Sequence, residues 1–492
     1  KRLDAINNKY KGFQALYAAT SAQEAIVAHA VAHPDDDAYL LQMLYDFEGS
    51  FDVVQYGAAW DSVIQKYPSL RCAFDVSGSP TVMVVMDQIS TPNVQVFDLR
   101  KKEGAKEDIM AADRRDPFDL SKAGHIRIKA LQTEDNKWAI LVTMHHSSVD
   151  GWSQPVLQRA VSAAYESLVS TGTCNEGAKD VAFFAAHEHI QKAAEDARSY
   201  WKSVPLKGAN DLSFMFNRVY SEARNEGLID RPAEDTLFMT VKETERLQNM
   251  CKQHGITLNA AVQFAFHKLL AIYSADDVTV VGTAVSGRDI PIEGLHSSVG
   301  MYINTLPLQL EWVDNASSLE MLKLTQERIG EIVTHGHMSL SEIAQMTGEK
   351  PFLAVSIFDS FAESHDSNED KFKLRSVVEK LELPLALTAA VQKGVLSLAL
   401  MYNRSWMSQE RAREAMGQLK RMLEFVARHP VATHEEVGAS TVSHSEKEKL
   451  LHDWNKTERP WRRDITAHRM FEEMAATRPF TLALVIKSDN VD

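Results

Sequence analysis

Cysteine is scarce in this sequence, which has 3 cysteines among 492 residues. Cys72, Cys174 and Cys251 lie far apart, and none of them belongs to a CxxC or a Cys/His spacing. This pattern argues against a disulfide framework and against a zinc site. It favours a reducing compartment, and we expect a cytoplasmic protein.

Other features that identify common protein classes are also missing. No stretch approaches the roughly 18 consecutive apolar residues of a transmembrane helix, so no membrane association is expected. The GxGxxG and GxxxxGK(S/T) phosphate-binding motifs are absent. The net charge of −14 argues against nucleic acid as a partner, because phosphate binding requires a basic surface. Residues 1–11 are polar and do not begin with Met, so we expect a piece of a longer protein.

The sequence does contain alternating helical and strand-like segments. Residues 24–32 and 58–66 predict helices, and residues 125–131 alternate polar and apolar side chains as a strand with one wet face does. Residues 138–144 are apolar almost throughout, which predicts a strand buried on both faces. In the second half, helices are predicted at 186–202, 256–273 and 408–428, and strands at 278–282, 306–310, 352–358 and 395–402. We therefore predict an α/β chain of two similar-sized lobes, joined near 171–180.

One local pattern suggests chemistry, and it begins where the predicted buried strand ends. His145 and His146 are followed by Asp150 and Gly151. Successive side chains of a strand point to opposite faces, so only one of the two histidines can face a cleft. A neutral imidazole can accept a proton or orient a nucleophile near neutral pH. On spacing alone, a core or turn feature without chemistry remains the competing interpretation.

The residues that follow the histidines add to this hypothesis. Asp150 can turn back and fix the local backbone through an ion pair, and Gly151 leaves room for a close approach. A helix is predicted from about residue 154, with Ser153 as its N-cap. The free N–H groups at its start could face developing negative charge.

The segment from His145 to Gly151 matches the HHxxxDG signature, and with it the chain resembles condensation domains of nonribosomal peptide synthetases. Tyr67 to Phe74 is similar to the HPxLRTxF motif of that family, with Tyr67 in place of the usual histidine. The other similar segments, in the family's order, are Thr20 to Gln23, Gly287-Arg288 and Val299 to Leu308. Leu451 to Thr457 resembles the linker that leads into an adenylation domain. The resemblance extends over about residues 15–492.

This resemblance implies the architecture. The expected fold class is α/β, with two chloramphenicol acetyltransferase-like lobes in a V-shaped pseudo-dimer around a central tunnel. Residues 1–14 are expected to be a linker from an upstream carrier domain, and 15–178 the N-terminal lobe. Residues 179–446 are then the C-terminal lobe, and 447–492 the linker and the beginning of an adenylation domain.

The resemblance also implies roles for individual residues. The catalytic candidates are His146, His145, Asp150 and Gly151. His146 is expected at the reaction centre, as general base or to orient the amine, and Asp150 is expected to pair with Arg288. The backbone at Gly151 could help to hold the thioester or its oxyanion. The residues expected to support the site are Arg288, Asn304, Ser21, Gln23, Arg71 and Trp152.

The implied activity is amide bond formation between a donor acyl thioester and the α-amine of an acceptor aminoacyl thioester. Both would arrive on 4′-phosphopantetheine arms of upstream and downstream peptidyl carrier proteins, and an adenylation domain would adjoin. No metal and no cofactor bound by the domain itself are expected. An epimerisation domain, a free CoA-dependent acyltransferase and a catalytically silent carrier-binding module are the alternatives. A heterocyclisation domain normally has aspartates in place of the two histidines.

Overall fold

The computed structural model describes residues 2–101, 104–174, 177–213, 215–216, 233–348, 351–359, 371–380, 383–404, 406–460 and 462–482. Lys1 and residues 483–492, at the outer ends of the predicted linkers, lie outside the described residues. The chain divides into two compact units, Lys1–Thr441 and Val442–Asp492. The division lies a few residues before the predicted boundary at 446.

The strands of the first unit form three sheets within its described residues. The strands are β1 (Phe13–Ala18), β2 (Leu40–Glu48), β3 (Cys72–Asp75), β4 (Val82–Met86), β5 (Val94–Asp98), β6 (Ile126–Glu134), β7 (Lys137–His145), β8 (Ala233–Phe238), β9 (Val278–Val285), β10 (Asn304–Glu311), β11 (Ala354–Asp359), β12 (Phe372–Val378), β13 (Leu385–Gln392) and β14 (Val395–Tyr402). The three-stranded sheet has the order β1-β4-β3, the five-stranded sheet β12-β2-β7-β6-β5, and the six-stranded sheet β10-β9-β11-β13-β14-β8.

Helices pack on these sheets and complete the α/β fold. In the first unit they are Arg2–Lys9, Ser21–Ala32, Val53–Lys66, Ala105–Arg114, Ser153–Thr171, Ala182–Ser203, Val241–His254, Leu258–Ser274, Ser318–Thr334, Leu340–Thr347, Gln409–Arg428 and His434–Ala439. The helix Leu258–Ser274 is buried on all sides, with eleven consecutive buried residues from Ala260 to Leu270. It runs through the C-terminal core, and its buried polar side chains have partners there: Gln263 with Thr283, His267 with Thr279 and Lys268 with His434.

The strand β7 is the element that positions the predicted catalytic pattern. It lies in the middle of the five-stranded sheet, antiparallel to β2 on one side and to β6 on the other. Its residues from Ala139 to His145 are all buried, which confirms the strand predicted to be buried on both faces. Such a strand is fixed in register by both neighbours, so the histidines at its end have a fixed position.

One strand crosses from the second half of the first unit to the sheet of the first half. The strand β12 belongs to the segment predicted as the C-terminal lobe, yet it pairs antiparallel with β2 at the edge of the N-terminal sheet. Phe372 of β12 is packed in the same hydrophobic cluster as Tyr45 and Tyr165. The end of β12 is thereby brought to the sheet that carries the two histidines.

Several predicted helices are present in the structure but begin at other residues than predicted. The predicted helix 24–32 begins at Ser21, because Thr20 and Gln23 form a reciprocal capping box. The prediction of Ser153 as N-cap was wrong, since Ser153 is the first helical residue and its N–H is bound by the Asp150 carboxylate. The predicted helix 256–273 begins at Leu258, after the side chain of Thr257 caps it.

The second unit is small. It contains the helix His444–Glu448, which continues into a π-helical turn at Lys449–Asp453, and the helix Ala467–Thr477. Apolar side chains of this unit are exposed, among them Trp454 and Phe471, each 62% accessible.

No single helix in the described ranges has the length and apolar composition needed to cross a membrane. One pair, Val241–His254 with Leu258–Ser274, meets that test only when the two helices are taken together, and it is bent by 105°.

Candidate active site

The two histidines occupy different environments. The His145 side chain is 3% exposed, and its Nδ1 lies 2.9 Å from the Ser147 hydroxyl. The His146 side chain is 13% exposed, and its backbone N–H donates to the carbonyl of Tyr39 at 2.9 Å. This matches the expectation that alternate positions along the chain send one histidine inward and the other toward solvent.

Asp150 and Arg288 form a buried ion pair, the contact that the resemblance implied. Arg288 Nη1 lies 2.6 Å from Asp150 Oδ2, and the two side chains are 1% and 0% exposed. The carboxylate also accepts the backbone N–H groups of Ser153 at 2.8 Å and Tyr302 at 3.1 Å. Because both oxygens are occupied, the charge is compensated inside the protein, which is the condition for a buried ion pair to be tolerated.

Arg288 is held on its other side as well. Its guanidinium lies 4.5 Å from the centre of the Tyr302 ring. The preceding residue, Gly287, has φ +63°, and a Cβ there would lie 2.0 Å from the Tyr302 carbonyl oxygen. Only glycine fits this combination of left-handed backbone and close approach. The Gly287-Arg288 pair is thus explained by geometry, since the glycine permits the turn that buries the arginine.

His146 has an ionic partner that the sequence did not indicate. Its Nε2 lies 3.2 Å from Oε1 of Glu379, which directly follows the strand β12. The Glu379 side chain is 30% exposed. The other ring nitrogen of His146, Nδ1, is buried and has no hydrogen-bond partner among the described residues.

The pKa values of the two histidines shift in opposite directions. Burial, together with the smaller effects of the neighbouring His125 and His146, lowers the pKa of His145 to about 3, so the imidazole is neutral at physiological pH. Burial also lowers the pKa of His146, but the charge and hydrogen bond of Glu379 and the charge of Asp150 outweigh it and raise that pKa above its usual value. His146 therefore retains a proton at higher pH than an ordinary histidine does.

Gln23 fixes the backbone of the signature loop, which runs from His145 to Gly151, at a point between the two histidines and Asp150. Its Nε2 donates to the carbonyl oxygen of Ser147 at 2.9 Å, while its Oε1 accepts the N–H of Thr20 in the capping box. The side chain is 1% exposed. The helix Ser21–Ala32 thus contacts the signature loop directly through Gln23.

Ser21 and Asn304 meet at a different loop. The Ser21 hydroxyl donates to the carbonyl of His337 at 3.4 Å. Asn304 Nδ2 donates to the carbonyls of Gly336 and Met338 at 2.8 and 2.9 Å. The two residues come from opposite halves of the unit and hold the same segment, 336–338. Their side-chain hydrogen bonds therefore fix this segment rather than the HHxxxDG loop.

The remaining predicted residues differ in their placement. Arg71 donates to the backbone carbonyls of Ile64, Gln65 and Met86, so it ties the end of the helix Val53–Lys66 to β4. Trp152 is half-buried at the start of the helix Ser153–Thr171. Gly151 is exposed, and a Cβ there would meet no atom within 4 Å, which leaves free space beside the signature loop.

The described residues contain no group of three or more His, Cys, Asp or Glu side chains placed to hold a metal ion. The chemistry available at the signature loop is that of a partly exposed imidazole paired with a carboxylate, next to open space at Gly151. Such a pair can bind an amine and move its proton.

Comparison with known proteins identifies the family. The sequence profile of the condensation domain matches residues 13–451. The chain belongs to the condensation domain family. It is 26% identical to bacitracin synthase 3 of Bacillus licheniformis over 100% of this chain and 8% of that protein. It is 25% identical to bacitracin synthase 1 of the same organism over 99% of this chain and 9% of that protein. This condensation domain thus spans less than a tenth of each of these relatives.

Solved structures agree with the fold. A four-domain nonribosomal peptide synthetase bound to AMP and glycine superposes with a TM-score of 0.70 at 20% identity, over 88% of this chain and 35% of that one. The X-domain from teicoplanin biosynthesis, in complex with OxyB, gives 0.72 at 19% identity, over 86% of this chain and 96% of that one. The predicted resemblance and the chloramphenicol acetyltransferase-like α/β fold class are confirmed. The condensation domain is an acyltransferase-type enzyme domain.

Glu379 is the site residue that sequence reasoning missed. It directly follows residues 372–378, whose alternating apolar and polar side chains could have predicted an edge strand. No local signal connects that strand with His146, because β12 joins a sheet formed by residues more than 200 positions earlier.

Proposed function

We propose that this domain forms an amide bond between a donor acyl thioester and the α-amine of an acceptor aminoacyl thioester. The observation that carries the proposal is the HHxxxDG loop itself, with Asp150 fixed by Arg288 and His146 left partly exposed. Rigid support for one residue and access to another are what a site for positioned reactants requires.

The chemistry needs no group held permanently by the domain. The amine lone pair attacks the thioester carbonyl carbon, the C–N bond forms, the C–S bond breaks, and the donor arm leaves as a thiol. His146 hydrogen-bonds the attacking amine, as general base or as the group that orients it. The backbone at Gly151 holds the thioester oxygen, and His145 and Asp150 keep the loop in place. Proximity of two bound thioesters supplies much of the rate gain.

The proposed partners are carrier proteins. An upstream and a downstream peptidyl carrier protein deliver the two thioesters on 4′-phosphopantetheine arms, through a tunnel between two lobes bounded as the sequence predicts, 15–178 and 179–446. Residues 1–14 link to the upstream carrier, and 447–492 lead into an adenylation domain. A cytoplasmic location fits the scarcity of cysteine, with 3 in the whole sequence.

The test uses separately loaded donor and acceptor carriers. After mixing with the domain, the intact mass of the acceptor carrier should rise by the mass of the donor acyl group. In His146→Ala the initial rate should fall by about 10²–10⁴, since that is the usual contribution of a proton-transferring or orienting group. His296→Ala, which changes an exposed histidine of the same unit, is the matched control and should keep the full rate.

A silent carrier-binding module is the second candidate, because the fold also matches the X-domain that was solved in complex with OxyB. Fold likeness at this identity does not distinguish an enzyme from a binding module. Unchanged acceptor mass with several substrate pairs, together with saturable binding of loaded carriers, would support the binding module. An epimerase would leave the acceptor mass unchanged and invert the Cα configuration of a carrier-bound residue.

A further inference from the structure

The contact between His146 and Glu379 is one of several contacts that join the end of β12 to the N-terminal half of the unit. Arg114 lies in the helix Ala105–Arg114, and its Nη1 donates to the carbonyl of Val378 at 3.0 Å. Its Nε lies 2.6 Å from Asp37 Oδ2. Lys380 Nζ lies 2.6 Å from Asp36 Oδ1. The residues on both sides of Glu379 are therefore fixed to the N-terminal half of the unit, and the carboxylate is held where it meets His146.

The ion pair between His146 and Glu379 bears on where the ring carries its proton. An ionised carboxylate has no proton to donate, so Oε1 at 3.2 Å from Nε2 favours a proton on that nitrogen over a lone pair. The Nδ1 atom is buried without a partner among the described residues, so no protein group competes for a proton there. When the ring is neutral, Nε2–H is thus the favoured tautomer.

We propose that Glu379 is a positioning residue of the condensation reaction, whose carboxylate fixes the ring of His146 and keeps its proton on Nε2. Nε2 is then occupied by Glu379, so the acceptor amine can be bound only by the lone pair on Nδ1, which is covered in this structure and must be uncovered when the amine enters. This inference rests on the proposed function. It adds the residue that directly follows β12 to a site otherwise formed by the HHxxxDG loop.

The charged groups around the pair agree with this role. The negative charge of Asp150 acts on His146 in the same direction as that of Glu379, whereas His145 is neutral. On the other side, burial raises the pKa of Glu379, but the positive charges of His146 and Arg114 outweigh it and hold that pKa below its usual value. Glu379 is therefore ionised at neutral pH, and its removal takes away the main anion that faces His146.

The first test needs no substrate. Histidine labelled with 13C and 15N is followed by NMR in the whole chain, and the His146 ring signal is assigned by its loss in His146→Gln. In Glu379→Gln the pKa of His146 should fall, and the neutral ring should become a mixture of tautomers. Arg375→Gln is the matched control, because Arg375 lies on the same strand and pairs with Asp46 at the surface. It should leave the His146 titration as in the wild type.

The second test uses the carrier assay over a range of pH. The limb of the pH–rate profile that reports His146 should move to lower pH in Glu379→Gln, and kcat should fall roughly tenfold. Glu379→Asp should restore part of both effects, and Arg375→Gln should change neither. A purely structural role would move the unfolding curve without moving the pH profile.

An unchanged His146 titration in Glu379→Gln would overturn the inference, whatever the activity. A lowered pKa with an unshifted pH–rate profile would also overturn it, since the coupling would then have no part in the reaction. If the titration moves but wild-type protein transfers no acyl group, the proposed function fails, and the positioning role fails with it. In that case the measured coupling between the two side chains still stands.

Discussion

Two ion pairs meet at the signature loop, and they differ in how completely they are enclosed. Asp150 and Arg288 are 0% and 1% exposed, and both carboxylate oxygens are engaged. His146 and Glu379 are 13% and 30% exposed, and one ring nitrogen of His146 has no partner among the described residues. The first pair is closed to solvent, and the second is open to it.

This difference shows how a single loop can combine rigidity with reactivity. The Asp150 carboxylate is engaged on both oxygens, while Arg288 Nε is buried without a partner among the described residues. A buried ion pair of this kind cannot lose one of its charges without a large cost. A partly exposed pair exchanges protons readily, and its contribution to stability is small. We expect the closed pair to determine whether the loop folds and the open pair to determine whether it reacts.

A fall in pH should lower the free energy of unfolding more than any of the substitutions below. His125 and His145 are buried and neutral, with pKa values lowered mainly by burial to about 4 and about 3. In the unfolded chain both protonate near pH 6.5, so the free energy of unfolding should fall by roughly 6 kcal/mol between pH 6.5 and pH 4. Urea unfolding at several pH values measures this fall. Equal stability at pH 7 and pH 4.5 would contradict the assignment of these two rings as neutral.

Removal of the carboxylate of the closed pair should have the next largest effect. Asp150→Asn leaves the Arg288 cation buried without its counter-charge and should cost about 3–5 kcal/mol of unfolding free energy. Asp46→Asn breaks the exposed pair with Arg375 and should cost less than about 1 kcal/mol. The comparison would fail if the two substitutions destabilised the protein equally. Urea unfolding near neutral pH is the measurement.

The glycine beside Arg288 should be more sensitive than a glycine in open space. Gly287→Ala adds a methyl group against the Tyr302 carbonyl in a left-handed backbone conformation and should cost about 3 kcal/mol. Gly255 has a similar φ of +68°, and a Cβ there would meet no atom within 4 Å, so Gly255→Ala should cost about 1 kcal/mol. Thermal unfolding of the two variants separates crowding from backbone strain. Equal losses of stability in the two variants would mean that the close approach of Gly287 to the Tyr302 carbonyl adds no cost.

The open pair should contribute least to stability, and only over part of the pH range. The pKa of Glu379 is lowered from 4.5 and that of His146 is raised from 6.5, so both are ionised at pH 5.5. Glu379→Gln should cost less than about 1 kcal/mol at pH 5.5. The cost should vanish as the pH rises through the folded-state pKa of His146, because the imidazole then loses its charge. Urea unfolding at pH 5.5 and 8.5 checks both values, and a larger cost at pH 8.5 would reverse the assigned charges.

The closed pair could be predicted from the sequence, because its residues lie in short motifs. The resemblance to condensation domains implied that Asp150 and Arg288 are partners, because each lies in a short motif of that family. The strand β7 could be recognised from its continuous apolar run, which has a direct physical reason in strand burial.

The open pair could not be predicted in the same way. Glu379 comes close to His146 only because β12 leaves its own half and pairs with β2. The crossing of a strand between halves depends on which edge strand is available, which is a property of the assembled sheets. The contacts of Ser21 and Asn304 with the segment 336–338 could not be predicted for the same reason, because they join residues far apart in the sequence.

The most direct test of the whole account compares His145→Gln with His146→Gln in the carrier assay, with each initial rate divided by the amount of folded protein. We expect His146→Gln to unfold like the wild type and to lose about 10²–10⁴ in rate per folded molecule. We expect His145→Gln to unfold more easily and to keep most of its rate per folded molecule. Equal losses of rate in the two variants, or a loss confined to His145→Gln, would contradict the division of the signature into a closed and an open part.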